Sequence, residues 1–425
     1  VLLLWGGDYL HGAIDLRNYN YQVLNKHGSP FPWLWTLDTV SGTNNPGNLV
    51  LKAGTVNFNK DVYMGTGTLN VLSSTINLGS KIYSGASLMG DALMSSIAGT
   101  INVLSNNALI QQAVWLAKDA GGTNIIVGDG TYNENVTINK TVKLTSKNGR
   151  GATTIDGNQA GAEQGTIYVL GGTNNVQIGD IGHGFTIKGI NGNGASEKAG
   201  VYLQGSHSGT KVIGNEVVAR GDEGLLTEWG STVNNLFIDS NIFSGQTFEG
   251  ANPSGIGSST QFDVGNNVPR GLVVIGSGGN DANNHFTNVT FTNNVVNGKT
   301  GGTSTNDGVT PQGNYQVTID AIGATITGNT FEGTNTRGAS LRARGTNTKI
   351  SGNTFNAAGL SGNAYHVEVE NSVYGPTSQT NIMNIWNNNT FLGRATVSDK
   401  DIDPTSDYIF TKIQDSINVA TATGA

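Results

Sequence analysis

The chain has 425 residues, of which 62 are glycine, 36% are hydrophobic and 12% are charged, and its formal net charge is −7. It contains no cysteine, which excludes disulfides and thiolate metal sites. The acidic balance and the lack of a basic cluster with interleaved aromatic residues argue against nucleic acid as a partner, and no apolar run is long enough to span a membrane.

The first 105 residues carry a short repeat. Gly54-Thr55-Val56-Asn57-Phe58 recurs in related form at 67–71, 74–78 and 99–103. Each copy alternates apolar and polar residues, which is the period-two pattern of a half-buried strand. The repeat resembles the coils of filamentous haemagglutinin-type bacterial surface adhesins. Residues 1–105 are therefore predicted to form haemagglutinin-like β-helix coils.

The stretch 109–120 is the best candidate for a helix. Its apolar residues recur at i, i+3, i+4 and i+7, so that they share one helical face. Two glycines at 121–122 end the pattern. The predicted buried face comprises Ile110, Ala113, Val114 and Ala117.

Several signals follow this helix in a characteristic order. They are a buried strand at 124–127, Gly130-Thr131-Tyr132 with Glu134-Asn135-Val136 close behind, and Thr154-Ile155-Asp156-Gly157. This order resembles the opening of right-handed parallel β-helices of the pectin-lyase-like superfamily, and the resemblance covers about 110–400. It implies an all-β fold, a right-handed parallel β-helix (solenoid) with one short helix near 109–120. The module is predicted to span 106–410.

An asparagine recurs beside apolar residues through the rest of the module. The step is 26 residues from Asn215 to Asn241 (241 − 215) and 24 from Asn329 to Asn353 (353 − 329), as expected for successive coils. Asparagine tolerates the left-handed backbone of a sharp corner, and stacked amides can hydrogen-bond along the coil axis. We predict a structural asparagine ladder formed by Asn215, Asn241, Asn294, Asn329, Asn353 and Asn389.

Polar side chains alternate with the apolar ones in another strand of each coil. Because residues two apart share a face, the polar set is predicted to point outward, whereas Leu272 and Val274 are predicted to point inward. The resemblance implies that this outer face is where lyases and epimerases of the superfamily hold a polysaccharide. The candidate ligand-binding residues are Tyr202, Gln204, Glu228, Trp229, Asp320, Arg342, Glu368 and Glu370, and Arg344 and His366 are placed on the same face.

A uronate-acting enzyme would need a cation, a base and a proton donor on that face. Arg342 and Arg344 are candidates for gripping the sugar carboxylate, His366 is a candidate base, and Glu368 and Glu370 are candidate Ca²⁺ ligands. No other cofactor is expected. In the structural alternative, the two arginines pair with the two glutamates of the next coil as an exposed ladder. The Asp-Pro-His signature of alginate epimerases is missing, since Asp403-Pro404 is followed by Thr405.

The last residues resemble the start of the helix segment. Ile413-Gln414 aligns with Ile110-Gln111 at an offset of 303 residues (413 − 110). We therefore expect 411–425 to begin a further module copy, so that neighbouring β-helix modules of the same chain are partners.

Together these patterns predict an extracellular or cell-surface segment of a large repetitive bacterial protein. Its expected role is structural or adhesive, with loops presented to a polysaccharide or to a cell-surface partner. The alternatives are a polysaccharide lyase or uronate C5-epimerase, and a subunit of a surface coat or sheath.

Overall fold

The computed structural model describes a defined set of residue ranges. They are 2–5, 13–15, 21–24, 34–37, 39–41, 49–63, 67–157, 164–190, 198–220, 223–228, 230–245, 271–276, 286–298, 316–332, 338–345, 347–356, 364–370, 379–392 and 397–399. The repeated segment 411–425 lies outside the described residues. The module boundaries near 105 and 410 remain predictions from the sequence.

Strands dominate the described residues. In the first part of the chain they are β1 (Leu2–Trp5), β2 (Ala13–Asp15), β3 (Tyr21–Leu24), β4 (Leu34–Leu37), β5 (Thr39–Ser41), β6 (Leu49–Phe58), β7 (Val62–Tyr63), β8 (Leu69–Leu78), β9 (Ile82–Ser84), β10 (Ser87–Leu88), β11 (Met94–Ser96), β12 (Thr100–Val103), β13 (Thr123–Val127), β14 (Gly130–Tyr132), β15 (Val136–Ile138), β16 (Val142–Ser146), β17 (Thr153–Asp156), β18 (Gly165–Val169), β19 (Gln177–Ile178) and β20 (Thr186–Lys188).

The remaining strands follow at the spacing of successive coils. They are β21 (Ala199–Leu203), β22 (His207–Ser208), β23 (Lys211–Ile213), β24 (Glu216–Ala219), β25 (Glu223–Thr227), β26 (Val233–Asn234), β27 (Phe237–Asp239), β28 (Ile242–Gly245), β29 (Gly271–Ile275), β30 (Phe286–Thr287), β31 (Thr290–Thr292), β32 (Val295–Asn297), β33 (Val317–Asp320), β34 (Thr325–Thr327), β35 (Thr330–Glu332), β36 (Gly338–Arg344), β37 (Lys349–Ser351), β38 (Thr354–Asn356), β39 (Ala364–Glu370), β40 (Thr390–Leu392) and β41 (Val397–Asp399).

Two α-helices and one 3₁₀ turn complete the described elements. Helix α1 spans Ile110–Leu116, which confirms the helix predicted near 109–120 in a shorter form, and the 3₁₀ turn spans Asp91–Leu93. Helix α2 spans Gln379–Asn388 and was not predicted. It leads directly into Asn389, and the backbone N–H of Gly352 in the coil below donates to the carbonyl of Asn388 at 2.5 Å. Helix α2 thus occupies the place of a strand in its coil.

The contacts divide the chain into two compact units. The first comprises 1–155 and 173–185, and the second comprises 156–172 and 186–425. In the first unit, a long parallel sheet runs β1-β3-β6-β8-β12-β13-β16-β19, and a shorter sheet runs β2-β5-β7-β9-β10. The hairpin of β9 and β10 is antiparallel, so it closes the shorter sheet. The first unit is an all-β solenoid whose coils stack in parallel register.

Helix α1 marks a change of coil type within the first unit. Before α1, successive coils alternate between the long and the shorter sheet. After α1, the chain passes through β13, β14 and β15 before it returns to the long sheet at β16. The coils therefore change from two sheets to three. The face predicted to be buried is buried, since Ile110, Ala113, Val114 and Ala117 have no exposed surface.

In the second unit, the described strands of successive coils build three long sheets and a short one. Sheet 1 runs β23-β27-β31-β34-β37, sheet 2 runs β20-β24-β28-β32-β35-β38-β40, sheet 3 runs β18-β21-β25-β29-β33-β36-β39-β41, and sheet 4 runs β22-β26-β30. Their pairings are parallel, so the unit is a parallel β-helix, as the sequence predicts.

Aromatic residues fill the interior of the second unit in register. The rings of Phe331 and Phe355 stack at 4.7 Å with planes 6° apart, and those of Phe355 and Phe391 stack at 5.2 Å. Phe355 has no exposed surface. Full burial of such a side chain stabilises the fold by roughly 1.5–3 kcal/mol.

Continuous hydrogen bonds join the asparagines at the corner between sheets 1 and 2. In each step, the backbone N–H and the side-chain amide of one asparagine donate to Oδ1 of the next, at 2.8–3.3 Å. The bonds link Asn215, Asn241, Asn294, Asn329, Asn353 and Asn389 in that order.

The expected backbone of this corner was wrong by one residue. The left-handed conformation belongs to the preceding position, which is Gly214 (φ 70°), Ser240 (φ 58°) or Asn293 (φ 54°) in successive coils. The ladder asparagine itself is not left-handed, so that its amide can turn along the coil axis. The left-handed conformation explains why the residue before a ladder asparagine can be glycine, which adopts positive φ without steric cost.

Candidate functional site

The outer face of sheet 3 carries the residues predicted to bind a ligand. One outward column runs Tyr168, Tyr202, Leu226, Val274, Thr318, Arg342 and Glu368, as the strand register shows. A second column lies two positions further along each strand and contains Gln204, Glu228 and Asp320. These two columns are called the sheet 3 face below.

The predicted register of β29 was wrong by one residue. Val273, rather than Leu272 or Val274, pairs with Leu225 below and Val317 above. Val274 consequently lies outward and packs beside Leu226. A long insertion separates β28 from β29 in the sequence. The spacing from the preceding strand therefore could not indicate which residues of β29 point inward.

Much of the predicted stripe is buried. Tyr202 is 2% exposed, Asp320 is 2%, Arg342 is 7% and Glu368 is 5%. The prediction of a solvent-facing stripe over these four residues is therefore wrong. Alternation identifies which side of a sheet a residue occupies, but not what else in the fold covers that side.

His366 points into the interior, which contradicts its prediction as an outward base. Its ring meets Phe355 edge-on at 6.2 Å and Phe391 edge-on at 5.7 Å, and it has no exposed surface. Burial lowers the pKa of His366 to about 4. Val367 is also fully buried and lies in register with Leu341 and Val317 on the inward side. Two consecutive residues therefore face inward, and strict alternation fails at this point of the strand.

Arg342 is held by the next coil. Its Nε lies 3.6 Å from Oε1 of Glu368, and both side chains are less than a tenth exposed. The pairing follows the structural alternative in the sequence, except that the pair is buried instead of exposed. Because the guanidinium faces a carboxylate of the fold, it is poorly placed to grip a sugar carboxylate.

The partly exposed end of the sheet 3 face combines an aromatic ring, an amide and a carboxylate. The rings of Tyr168 and Tyr202 lie 5.4 Å apart with planes tilted by 30°. Gln204 and Glu228 occupy successive coils beside them and are also partly exposed. Burial and, next, the charge of Glu228 raise the pKa of Tyr168, so the phenol lies within the field of that carboxylate.

Backbone groups fix these polar side chains. Oε2 of Glu228 accepts the N–H of Gly205 at 2.6 Å, and Oε1 of Gln204 accepts the N–H of Gly171 at 3.3 Å. Each side chain therefore has one end anchored. The sequence missed Tyr168, although its register with Tyr202 one coil on would have pointed to it.

Three predicted residues have no described side chain. Trp229 lies outside the described residues, and only the backbone is described for Arg344 and Glu370. Their proposed roles stay predictions. Within the described ranges, no group of three or more His, Asp or Glu side chains is arranged to hold a metal ion.

Comparison with known proteins adds no assignment. The chain matches no protein-family profile, no curated protein and no solved structure. In the described part of the chain, no helix has the length and hydropathy needed to cross a membrane.

Proposed function

We propose that this chain is an extracellular or cell-surface scaffold that adheres to sugar chains through the partly exposed end of the sheet 3 face. The observation that carries the proposal is the group formed by Tyr168, Gln204 and Glu228. These residues lie on three successive coils, are partly exposed and are held by neighbours of the fold.

The chemistry of this group suits a sugar. A tyrosine ring offers an apolar surface with a polar tip, which matches a pyranose that has C–H groups on its faces and hydroxyls at its rim. The anchored carboxylate of Glu228 has a second oxygen, and the amide of Gln204 has an NH₂ group, so the pair offers one acceptor and one donor to hydroxyls. A carboxylate at this place disfavours uronates and sulfated sugars by like-charge repulsion.

The scaffold contributes by holding these groups in place. Tyr168, Gln204 and Glu228 lie on or next to strands that pair in parallel register, and their polar side chains bond to the backbone. A pre-formed surface loses less conformational entropy on binding. Such a solenoid can also lengthen coil by coil without a larger core. Both properties suit a stiff surface protein that presents loops and a sugar-binding group. A relationship to surface adhesins or to pectin-lyase-like proteins is part of this proposal.

Catalysis is the weaker explanation of the same face. His366 is enclosed by phenylalanine rings, and Arg342 faces Glu368. A lyase or epimerase needs a base within hydrogen-bond reach of the sugar proton. These two candidates serve the fold instead.

Binding to a panel of immobilised neutral and acidic oligosaccharides tests the proposal. We expect the wild-type chain to retain neutral oligosaccharides, and Tyr168→Ala to weaken that binding by roughly tenfold or more, the effect of removing an aromatic anchor. Tyr83→Ala is the matched control, since Tyr83 is a partly exposed tyrosine stacked on Tyr63 in the first unit. Equal losses in both variants, or retention of no oligosaccharide, would contradict the proposal.

A further inference from the structure

Glu228 and Gln204 both lean toward the coils that precede their own. Oε2 of Glu228 accepts the N–H of Gly205, which lies in the coil of Gln204, at 2.6 Å. Oε1 of Gln204 accepts the N–H of Gly171, which lies just after β18, the strand of Tyr168, at 3.3 Å. Both polar ends are therefore drawn toward the coil that carries the tyrosine ring.

Two glycines allow this close approach. A Cβ added at Gly171 would lie 3.2 Å from the carbonyl oxygen of Gln204 and 3.3 Å from Cα of Gly205. A Cβ added at Gly205, where φ is +67°, would lie 3.0 Å from Cα of Gly171 and 3.9 Å from Oε2 of Glu228. Because neither position carries a side chain, the backbone N–H groups stay within reach of the glutamate and the glutamine.

No basic side chain offsets the charge of Glu228 in the described part of the chain, where the ion pairs join other residues. Strands β18 and β21 carry no charged residue, and β25 adds another carboxylate, Glu223. Lys188 and Arg220 face Asp156 instead. Because Glu228 is partly exposed, its charge acts on the surface around it and attracts cations.

The ring of Tyr168 supplies a second attraction for a cation. Tyr168 is partly exposed, and its ring lies 5.4 Å from that of Tyr202. Burial and, next, the charge of Glu228 raise the pKa of Tyr168, so the ring and the carboxylate are within electrostatic reach of each other. The face of a tyrosine ring attracts a cation that lies within about 6 Å of its centre. A ring and a carboxylate on one surface therefore favour a positively charged group.

We propose that the sugar bound by this surface is an amino sugar, whose ammonium group lies between the carboxylate of Glu228 and the ring of Tyr168. The inference rests on the proposed function, because it names the class of sugar that the same residues select. The second oxygen of Glu228 accepts an N–H of the ammonium in a charge-assisted hydrogen bond. The C–H groups of the sugar pack on Tyr168, and the NH₂ group of Gln204 donates to a hydroxyl.

Two trisaccharides with the same β-1,4-linked backbone test the inference. At mildly acidic pH chitotriose carries an ammonium at C2 of each ring, where cellotriose carries a hydroxyl. We expect the wild-type chain to bind chitotriose roughly tenfold more tightly than cellotriose, as one ion pair and one contact between a cation and a ring allow. High salt should reduce this ratio, because it screens a partly exposed charge. Equal affinities in the wild-type chain overturn the inference without any variant.

Two matched glutamate variants assign the preference. Glu228→Gln removes the charge but keeps an oxygen that can accept the N–H of Gly205, so the preference for chitotriose should disappear. Glu216→Gln is the control, because Glu216 is a partly exposed glutamate of the same unit that accepts a hydrogen bond from Thr186 at 3.2 Å. Its preference should equal that of the wild-type chain. A preference that persists in Glu228→Gln, or that is lost equally in Glu216→Gln, overturns the assignment to Glu228.

The outcomes separate this inference from the proposed function. Equal binding of both trisaccharides that Tyr168→Ala weakens would overturn the inference and leave the proposed function intact. Binding of neither trisaccharide by the wild-type chain would overturn the proposed function itself. A trilysine peptide that binds as tightly as chitotriose would overturn the choice of a sugar, because the peptide offers ammonium groups without a sugar ring to pack on Tyr168.

Discussion

The side-chain amide of Asn329 donates to Oδ1 of Asn353 at 2.9 Å, and the backbone N–H of Asn329 donates to the same oxygen at 2.9 Å. Oδ1 of Asn329 in turn accepts both corresponding groups of Asn294. Each of the four inner ladder residues therefore serves two neighbours, and its donors and acceptor are used. The corner is a chain of buried polar groups in which every member depends on the next.

Replacement of Asn329 by alanine should destabilise the second unit by about 2–4 kcal/mol. The change removes the acceptor for two donors of Asn294 and one of the two donors to Oδ1 of Asn353, which keeps only the backbone N–H of residue 329. Buried unsatisfied groups cost about 1–3 kcal/mol each. Urea unfolding measures the change. Asn297→Ala, at an exposed position of β32, is the control. An equal loss of unfolding free energy in both variants would contradict a stabilising role of the ladder.

Alanine at Gly276 should cost roughly 3 kcal/mol or more. Gly276 has φ +97°, and an added Cβ would lie 2.5 Å from Cβ of Asp320 and 2.8 Å from its carbonyl oxygen. Gly230 has φ +70° with open space around it, so Gly230→Ala should cost only the backbone penalty of about 1–2 kcal/mol. Thermal unfolding of both variants distinguishes crowding from conformation, and equal losses would contradict the close stacking of β29 and β33.

Acidification should destabilise the second unit through His366. The folded pKa of His366 is lowered to about 4 by burial, against an ordinary value of 6.5, so the unfolded state binds the proton first. The free energy of unfolding should fall by up to about 3 kcal/mol as the pH drops from about 7 to about 4. His366→Gln should remove this slope. The measurement is urea unfolding across that range, and an unchanged slope in the variant would exclude His366 as its source.

Removal of one partner of the Arg342–Glu368 pair should be more costly than removal of both. Arg342→Met leaves a buried carboxylate and should cost about 3–5 kcal/mol, whereas adding Glu368→Leu should recover much of that loss. Lys143→Met is the comparison, because its pair with Asp180 is more than a third exposed on both sides. There we expect at most about 1 kcal/mol. A double variant less stable than Arg342→Met would contradict the account of the pair.

The sequence predicted the repetitive parts of this fold and missed the parts that depend on contacts between coils. The ladder asparagines and the buried face of α1 could be predicted because each is set by a periodic sequence pattern. The burial of Arg342 and Glu368, the inward turn of His366 and the shift at Val273 were not, because each depends on what a neighbouring coil or segment does. The hydrogen bonds of Gln111 to Thr137 and of Gln112 to Ile82 could not be predicted for the same reason, since these partners lie 26 and 30 residues away in the sequence.

The most direct test of the central claim is to follow binding and turnover of the same sugars by the same preparation. Neutral oligosaccharides and the uronate polymers alginate, pectate and glycosaminoglycans would be incubated with the wild-type chain and with Tyr168→Ala. Retention would be measured together with the absorbance of unsaturated uronate and the proton NMR spectrum of the polymer. We predict retention of neutral sugars that Tyr168→Ala weakens, with no change in any polymer. Turnover of a uronate polymer that Arg342→Ala abolishes in a folded chain would contradict the account.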